Sequence, residues 1–226
     1  EKTVTFNFSD GSHYDLSLAA GTHWAGTIGS LPGINGTTVT SAEITNTAGI
    51  IGLELFGGQT NNYLSGILLN DQTTNSLYYS HVASNDTWWT GIVCYNPNTT
   101  ATQLTVSPYD STGTLLGSSV IDIAAEEKYI GTFSSLGLPT GTAWFKLESA
   151  IPVTGFELFG TFNGLQLAGY TAVNIKHPDG SFVKLEQDGW TGIAFVNVSA
   201  ATASVTLTAY NDSGTIIDTA ALSLSS

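Results

Sequence analysis

The sequence predicts an all-β protein of two tandem antiparallel β-sandwich domains, Ig-like or jelly-roll in type, with termini out of register with the repeat. Three observations carry this. No stretch has helical periodicity, whereas short runs of β-branched and aromatic residues are interrupted about every 8–12 residues by Gly-containing polar clusters. The hexapeptide Gly52-Leu53-Glu54-Leu55-Phe56-Gly57 returns 103 residues later as Gly155-Phe156-Glu157-Leu158-Phe159-Gly160, a spacing of domain size and longer than the roughly 20–50 residues of a solenoid repeat. Residues from Ala200 onward copy the start of a repeat and stop before completing it.

The elements follow in order. Thr3-Val4-Thr5-Phe6-Asn7-Phe8, Ser9-Asp10-Gly11-Ser12 and Tyr14-Asp15-Leu16-Ser17-Leu18 read as strand, turn and strand. The same hairpin recurs around Gly113 and Gly214, glycines that supply the positive φ such turns need. Residues 19–31, with Trp24 and Gly26, are matched by residues 124–136, with Tyr129 and Gly131. A strand at residues 39–45 corresponds to residues 143–148, then comes the repeated hexapeptide, then Leu64-Ser65-Gly66 and its partner Leu167-Ala168-Gly169. Two strands are expected to close each repeat. Residues 77–82 and 89–96 close the first, and residues 182–185 and 190–197 the second, with Trp-Thr-Gly-Ile at Trp89 and again at Trp190. Both faces of this last strand are apolar, which suits a central strand covered on both sides.

This register divides the chain into a first sandwich at 1–98, a second at 99–199 and a surplus hairpin at 200–226. Strands without neighbours leave backbone groups unpaired and attract either a partner in the same chain or another chain. A chance boundary, a closure in cis and a head-to-tail strand exchange between subunits all account for the surplus. In the exchange, Val205, Leu207, Ala209, Ile216 and Ile217 are the assembly residues.

Composition narrows the function. Lys and Arg number 5 against 18 Asp and Glu, a net charge of −13, which repels nucleic-acid backbones and leaves no basic stripe to bind them. Cys94 is the single cysteine, so an internal disulfide is excluded. No run of about 18 apolar residues occurs, and membrane insertion by a helix is not expected. Only 10% of residues are charged, well under the roughly 25% usual in soluble domains. The Thr, Asn, Ser and Gly that replace them lean toward an extracellular or cell-surface location.

His81-Val82-Ala83, Trp88-Trp89-Thr90-Gly91-Ile92, Asn96-Pro97, Tyr109-Asp110 with Gly113, the hexapeptide at Gly155 and Leu167-Ala168-Gly169 together resemble a β-rich repeat module of secreted or surface bacterial proteins. The resemblance covers most of residues 77–175. It implies an extracellular location and non-catalytic accessory or surface roles, and it carries over no functional residue. Leu53 stands where the second copy has Phe156, and Gly189 where the first has Trp88.

The candidate sites are few. Adjacent residues on a strand point to opposite faces, so of Trp88 and Trp89 one ring can be core and the other presented. Trp89 recurs as Trp190 and is the structural one; Trp88, with Asn85 and Asp86, has the flat apolar face and polar neighbours that a carbohydrate site requires. Glu54 and Glu157 hold one repeat position in separate copies, too far apart to serve as a glycosidase pair, and each is expected to face solvent or pair a neighbouring backbone. His13, His23, His81 and His177 lack metal-ligand spacing. Cofactors are expected to be none, with calcium at an acidic turn such as Asp110, Asp179 or Asp212 as the one alternative. Cys94 reads as an inert core thiol. No nucleophile elbow, phosphate loop or zinc-protease motif occurs, so no enzyme is expected. The expected function is a non-catalytic extracellular adhesion or structural module that self-associates, with a carbohydrate-binding module taking a glycan on Trp88 as the alternative.

Overall fold

The computed structural model describes residues 1–58, 63–173, 176–177, 179–186 and 188–225. Among them the regular structure is antiparallel strands and one short 3-10 turn at Ile28–Ser30, in accord with the all-β reading. The chain divides into two compact units, Glu1–Gly52 and Leu53–Ser226.

The first unit is a three-stranded sheet in which β1 (Lys2–Phe8) lies between β2 (His13–Leu18) and β3 (Ala42–Thr45). Alternation does the work here: Val4, Phe6 and Phe8 are buried with Leu31 and Ile34, while Thr5 and Asn7 between them are half-buried and exposed, respectively. The β1–β2 turn is held by Asp10, whose Oδ1 accepts the Ser12 amide at 3.0 Å. Gly11 takes φ 84°. The Ser12 hydrogen bonds hold the Asp10 carboxyl below its ordinary range.

In the second unit β4 (Leu53–Gly57) pairs only with β5 (Leu64–Leu68) among the described residues. The main sheet system is built on β11 (Trp144–Thr161), 18 residues long. Its first half pairs with β6 (Thr74–Tyr79) on one edge and β8 (Thr102–Tyr109) on the other, and β9 (Ser119–Ile123) extends β8. Its second half pairs with β7 (Trp88–Tyr95) and β12 (Leu167–Thr171), and β10 (Lys128–Thr132) extends β7. The register shifts between Glu148 and Val153, around Pro152, which has no N–H to give to a ladder. One core collects side chains from these strands: Leu77 and Tyr79, Ile92 and Cys94, Leu104 and Val106, Phe145 and Leu147, and Val153. Tyr79 and Phe145 stack at 4.5 Å. The last hairpin is β13 (Ala203–Tyr210) with β14 (Ile216–Leu224).

Residues 143–148 and the hexapeptide at Gly155, expected as two strands, are thus one bent strand. The expected boundary at residues 98 and 99 falls between β7 and β8, both of which pair with β11, so the strands expected to close the first repeat pair into the second. No strand forms among the described residues between 176 and 200, where the sequence predicts the two closing strands of the second repeat.

Candidate functional site

The repeat is visible in the pairing registers. β4 and β5 meet with Leu53 opposite Leu68 and Glu54 opposite Ile67, and β11 and β12 meet with Phe156 opposite Thr171 and Glu157 opposite Tyr170, the same alignment one repeat on. Likewise Thr102 opposite Ile123 in β8–β9 is matched by Ala203 opposite Leu224 in β13–β14.

What differs is the company these hairpins keep. On β11 the edge away from β12 is filled by β7, with Glu157 opposite Ile92 and Gly160 opposite Trp89. A Cβ added at Gly160 would meet the Trp89 ring at 2.3 Å, so the glycine is the seat of the indole. Among the described residues the equivalent edge of β4 has no strand on it, and Leu53 and Leu55 are 59% and 60% exposed. Residues 190–197, the copy of β7, likewise have no strand partner among the described residues, and Trp190 is 77% exposed.

The local devices of β7 are nevertheless kept in its copy. Thr90 is buried and its Oγ1 accepts the Ala83 amide at 2.8 Å; Thr191 Oγ1 accepts the Glu186 amide at 2.7 Å. Asn96 is buried at the corner from β7 to β8, and its side-chain amide donates to the Thr100 and Ala124 carbonyls at 2.9 and 2.8 Å. Asn197 donates to the Ala201 and Leu224 carbonyls at 2.8 and 3.0 Å. The copy keeps these hydrogen bonds although no strand is formed at residues 190–197.

Among the described residues the one buried carboxylate is Glu157. The sequence expects it to face solvent or pair a neighbouring backbone; it is instead fully buried, with Ile92 of β7 and Tyr170 of β12 opposite it on the two sides. Tyr170 donates its hydroxyl to Glu157 Oε2 and accepts the Ser80 amide at 3.1 Å, which links β12 and β11 to the segment after β6. Glu157 Oε1 and the Tyr79 hydroxyl have no hydrogen-bond partner. Burial pushes the Glu157 carboxyl up to about 8, against a smaller downward pull from the Tyr170 hydrogen bond. Burial also raises Tyr79 and Tyr170, and pushes the Cys94 thiol up to about 12, so Cys94 is a buried, unreactive thiol. Sequence reasoning missed the Glu157 environment; the signal was the tyrosine three residues after Leu167, absent from the first copy, which has Ile67.

The residues singled out from sequence fall in two places. Trp88 is half-buried at the start of β7, and Asn85 Oδ1 accepts the amides of Thr87 and Trp88 at 2.8 and 2.9 Å, a turn that leads the chain into the strand. Asp86 is exposed beside it. Val205, Leu207 and Ala209 lie on β13; Ile216 and Ile217 open β14 and are 58% and 65% exposed. Among the described residues no three of His, Cys, Asp and Glu cluster as a metal site, and no helix is long and apolar enough to cross a membrane. No protein-family model, curated protein or solved structure matches the chain.

Proposed function

We propose that the chain is a non-catalytic, extracellular structural or adhesion module, an array of β-sandwich repeats that self-associates at the surface it occupies. The observation that carries this reading is the pair of unfilled repeat parts: a β4 edge and a β7-like segment, each presenting large apolar side chains to solvent. Free strand edges of this kind take up other strands, and contiguous exposed apolar surface points to association. The low charge and the Thr- and Asn-rich composition support an extracellular setting. Calcium at Asp110, Asp179 or Asp212 is no part of this reading; the Asp110 Oδ1 accepts the Thr112 and Thr114 amides of its own turn.

Light scattering and negative-stain imaging over a range of concentrations test the reading, beside a pull-down on insoluble polysaccharides with Trp88→Ala as control. Assemblies that grow with concentration, without retention on polysaccharide, support it. Retention abolished by Trp88→Ala replaces it with a carbohydrate-binding module. A monomer at every concentration overturns it.

A further inference from the structure

We infer that residues 190–197 of one chain dock as a strand on the open edge of β4 in a second copy of the chain, in the register that β7 keeps on β11. The inference rests on the assembling-repeat reading above and adds its partner and geometry. The complete half of β11 is the template. There β7 runs antiparallel with Phe156 opposite Val93, Glu157 opposite Ile92 and Gly160 opposite Trp89. Moving each residue to its repeat counterpart places Leu53 opposite Ala194, Glu54 opposite Ile193 and Gly57 opposite Trp190.

Both halves of this joint are present and ready. β4 holds Gly57 where β11 holds Gly160, the seat of the Trp89 ring, and Trp190 is the ring without a seat. Residues 190–197 keep the Thr191 and Asn197 hydrogen bonds of a seated strand, so little ordering remains to oppose docking. Thr191, Ile193 and Phe195 stand where Thr90, Ile92 and Cys94 are buried, which gives the docked strand an apolar inner face.

A second copy is the occupant because within the chain, among the described residues, β4 and residues 190–197 are not paired with each other. Instead β5 lies against β12, and Phe56 meets Phe156 at 6.2 Å. Residues 190–197, by contrast, are tied at their end to the β13–β14 hairpin through Asn197.

Docking in this register also buries Glu54, now exposed, beside Phe195 and with Ile67 where Glu157 has Tyr170. A carboxylate left there without a hydroxyl partner opposes association. Glu54→Gln therefore strengthens it, which a joint made elsewhere on the surface has no reason to do.

The test mixes two full-length single variants, Leu53→Cys and Ala194→Cys, under mild oxidation, Cys94 being buried and inert. Opposed residues of an antiparallel pair lie within disulfide reach, so a crosslink between the two variants is expected. It should exceed by about tenfold the yield of Leu53→Cys with Ile193→Cys, whose side chains sit on opposite faces. Trp190→Ala should weaken association about tenfold and leave the melting curve unchanged, because the ring is exposed. Glu54→Gln should strengthen it. Equal crosslinking in both pairs, or none in samples that scatter as assemblies, overturns this joint and leaves the assembling-repeat reading standing. A double variant that closes its disulfide within one chain overturns the second copy as occupant. A protein that stays monomeric removes both.

Discussion

β7 and residues 190–197 share Trp-Thr-Gly-Ile, a bridging threonine and a corner asparagine, yet one is a central strand and the other carries no strand pairing at all. The difference is β11. By pairing with β11 and β10, β7 places Ile92 and Cys94 in the core, whereas Trp190, Ile193 and Phe195 are 77%, 40% and 38% exposed, Phe195 meeting the Phe182 ring. Local sequence sets a strand's readiness, and long-range pairing decides whether it forms. The two glutamates of the repeat teach the same lesson. Glu157 is sealed by β7 and β12; Glu54, at the same position, is open to water.

Matched substitutions in the two copies sharpen this comparison. The largest effect is expected at Glu157. Below about pH 4.5 its carboxyl is protonated in folded and unfolded chains alike. As pH rises the unfolded chain ionises, while the folded chain keeps its proton until about pH 8. Stability is therefore lost progressively across that window, by on the order of 4 kcal/mol. Glu157→Gln should flatten this fall, read as the urea midpoint from pH 4 to 9. Glu54→Gln should leave the midpoint of the dilute protein within about 0.5 kcal/mol. A parallel pH profile in Glu157→Gln would show that the carboxyl is not buried as described.

Next comes the apolar core. Ile92→Ala should cost about 3 kcal/mol by opening a cavity, and Ile193→Ala less than about 1 kcal/mol, measured by equilibrium denaturation; equal costs would mean that residues 190–197 are packed. Asn96→Ala should cost about 2 kcal/mol, since it leaves the Thr100 and Ala124 carbonyls without their buried donor, and Asn197→Ala about half that. Smallest is Thr90→Val at about 1 kcal/mol, through the Ala83 amide that loses its acceptor, with Thr191→Val within about 0.5 kcal/mol. Hydrogen exchange gives the same contrast directly: the amides of residues 90–94 should be protected and those of residues 191–195 should exchange freely.

Much of this was legible in the sequence. Alternation of Val4, Phe6 and Phe8 with polar residues marked β1 and its inner face, and the glycine-containing polar turns at Gly11 and Gly113 marked the hairpins that flank them. The repeat itself announced β4–β5 and β11–β12 as equivalents, down to the shared register. The fusion of two predicted strands into β11 was not legible, because Pro152 reads as a stop and becomes a break in pairing inside one bent strand. Glu157 was misjudged because period-two alternation tells which residues share a face and is silent on which face is covered. The pairing of β6 and β7 with β11 also escaped, since a repeat read from sequence has a period and no phase: any starting strand gives the same spacing.

The sequence by itself therefore determined the all-β class, the hairpin turns, the repeat length and the equivalence of residues one repeat apart, which follow from local sterics, from the alternation of apolar and polar side chains and from the repeat itself. Only the tertiary structure decided where a complete set of strands begins, which copy of a strand is paired, and that Glu157 is dry while Glu54 is wet. Those outcomes depend on hydrogen bonds and burial between segments far apart in the chain, and two segments of nearly the same sequence meet different fates when only one finds a partner edge.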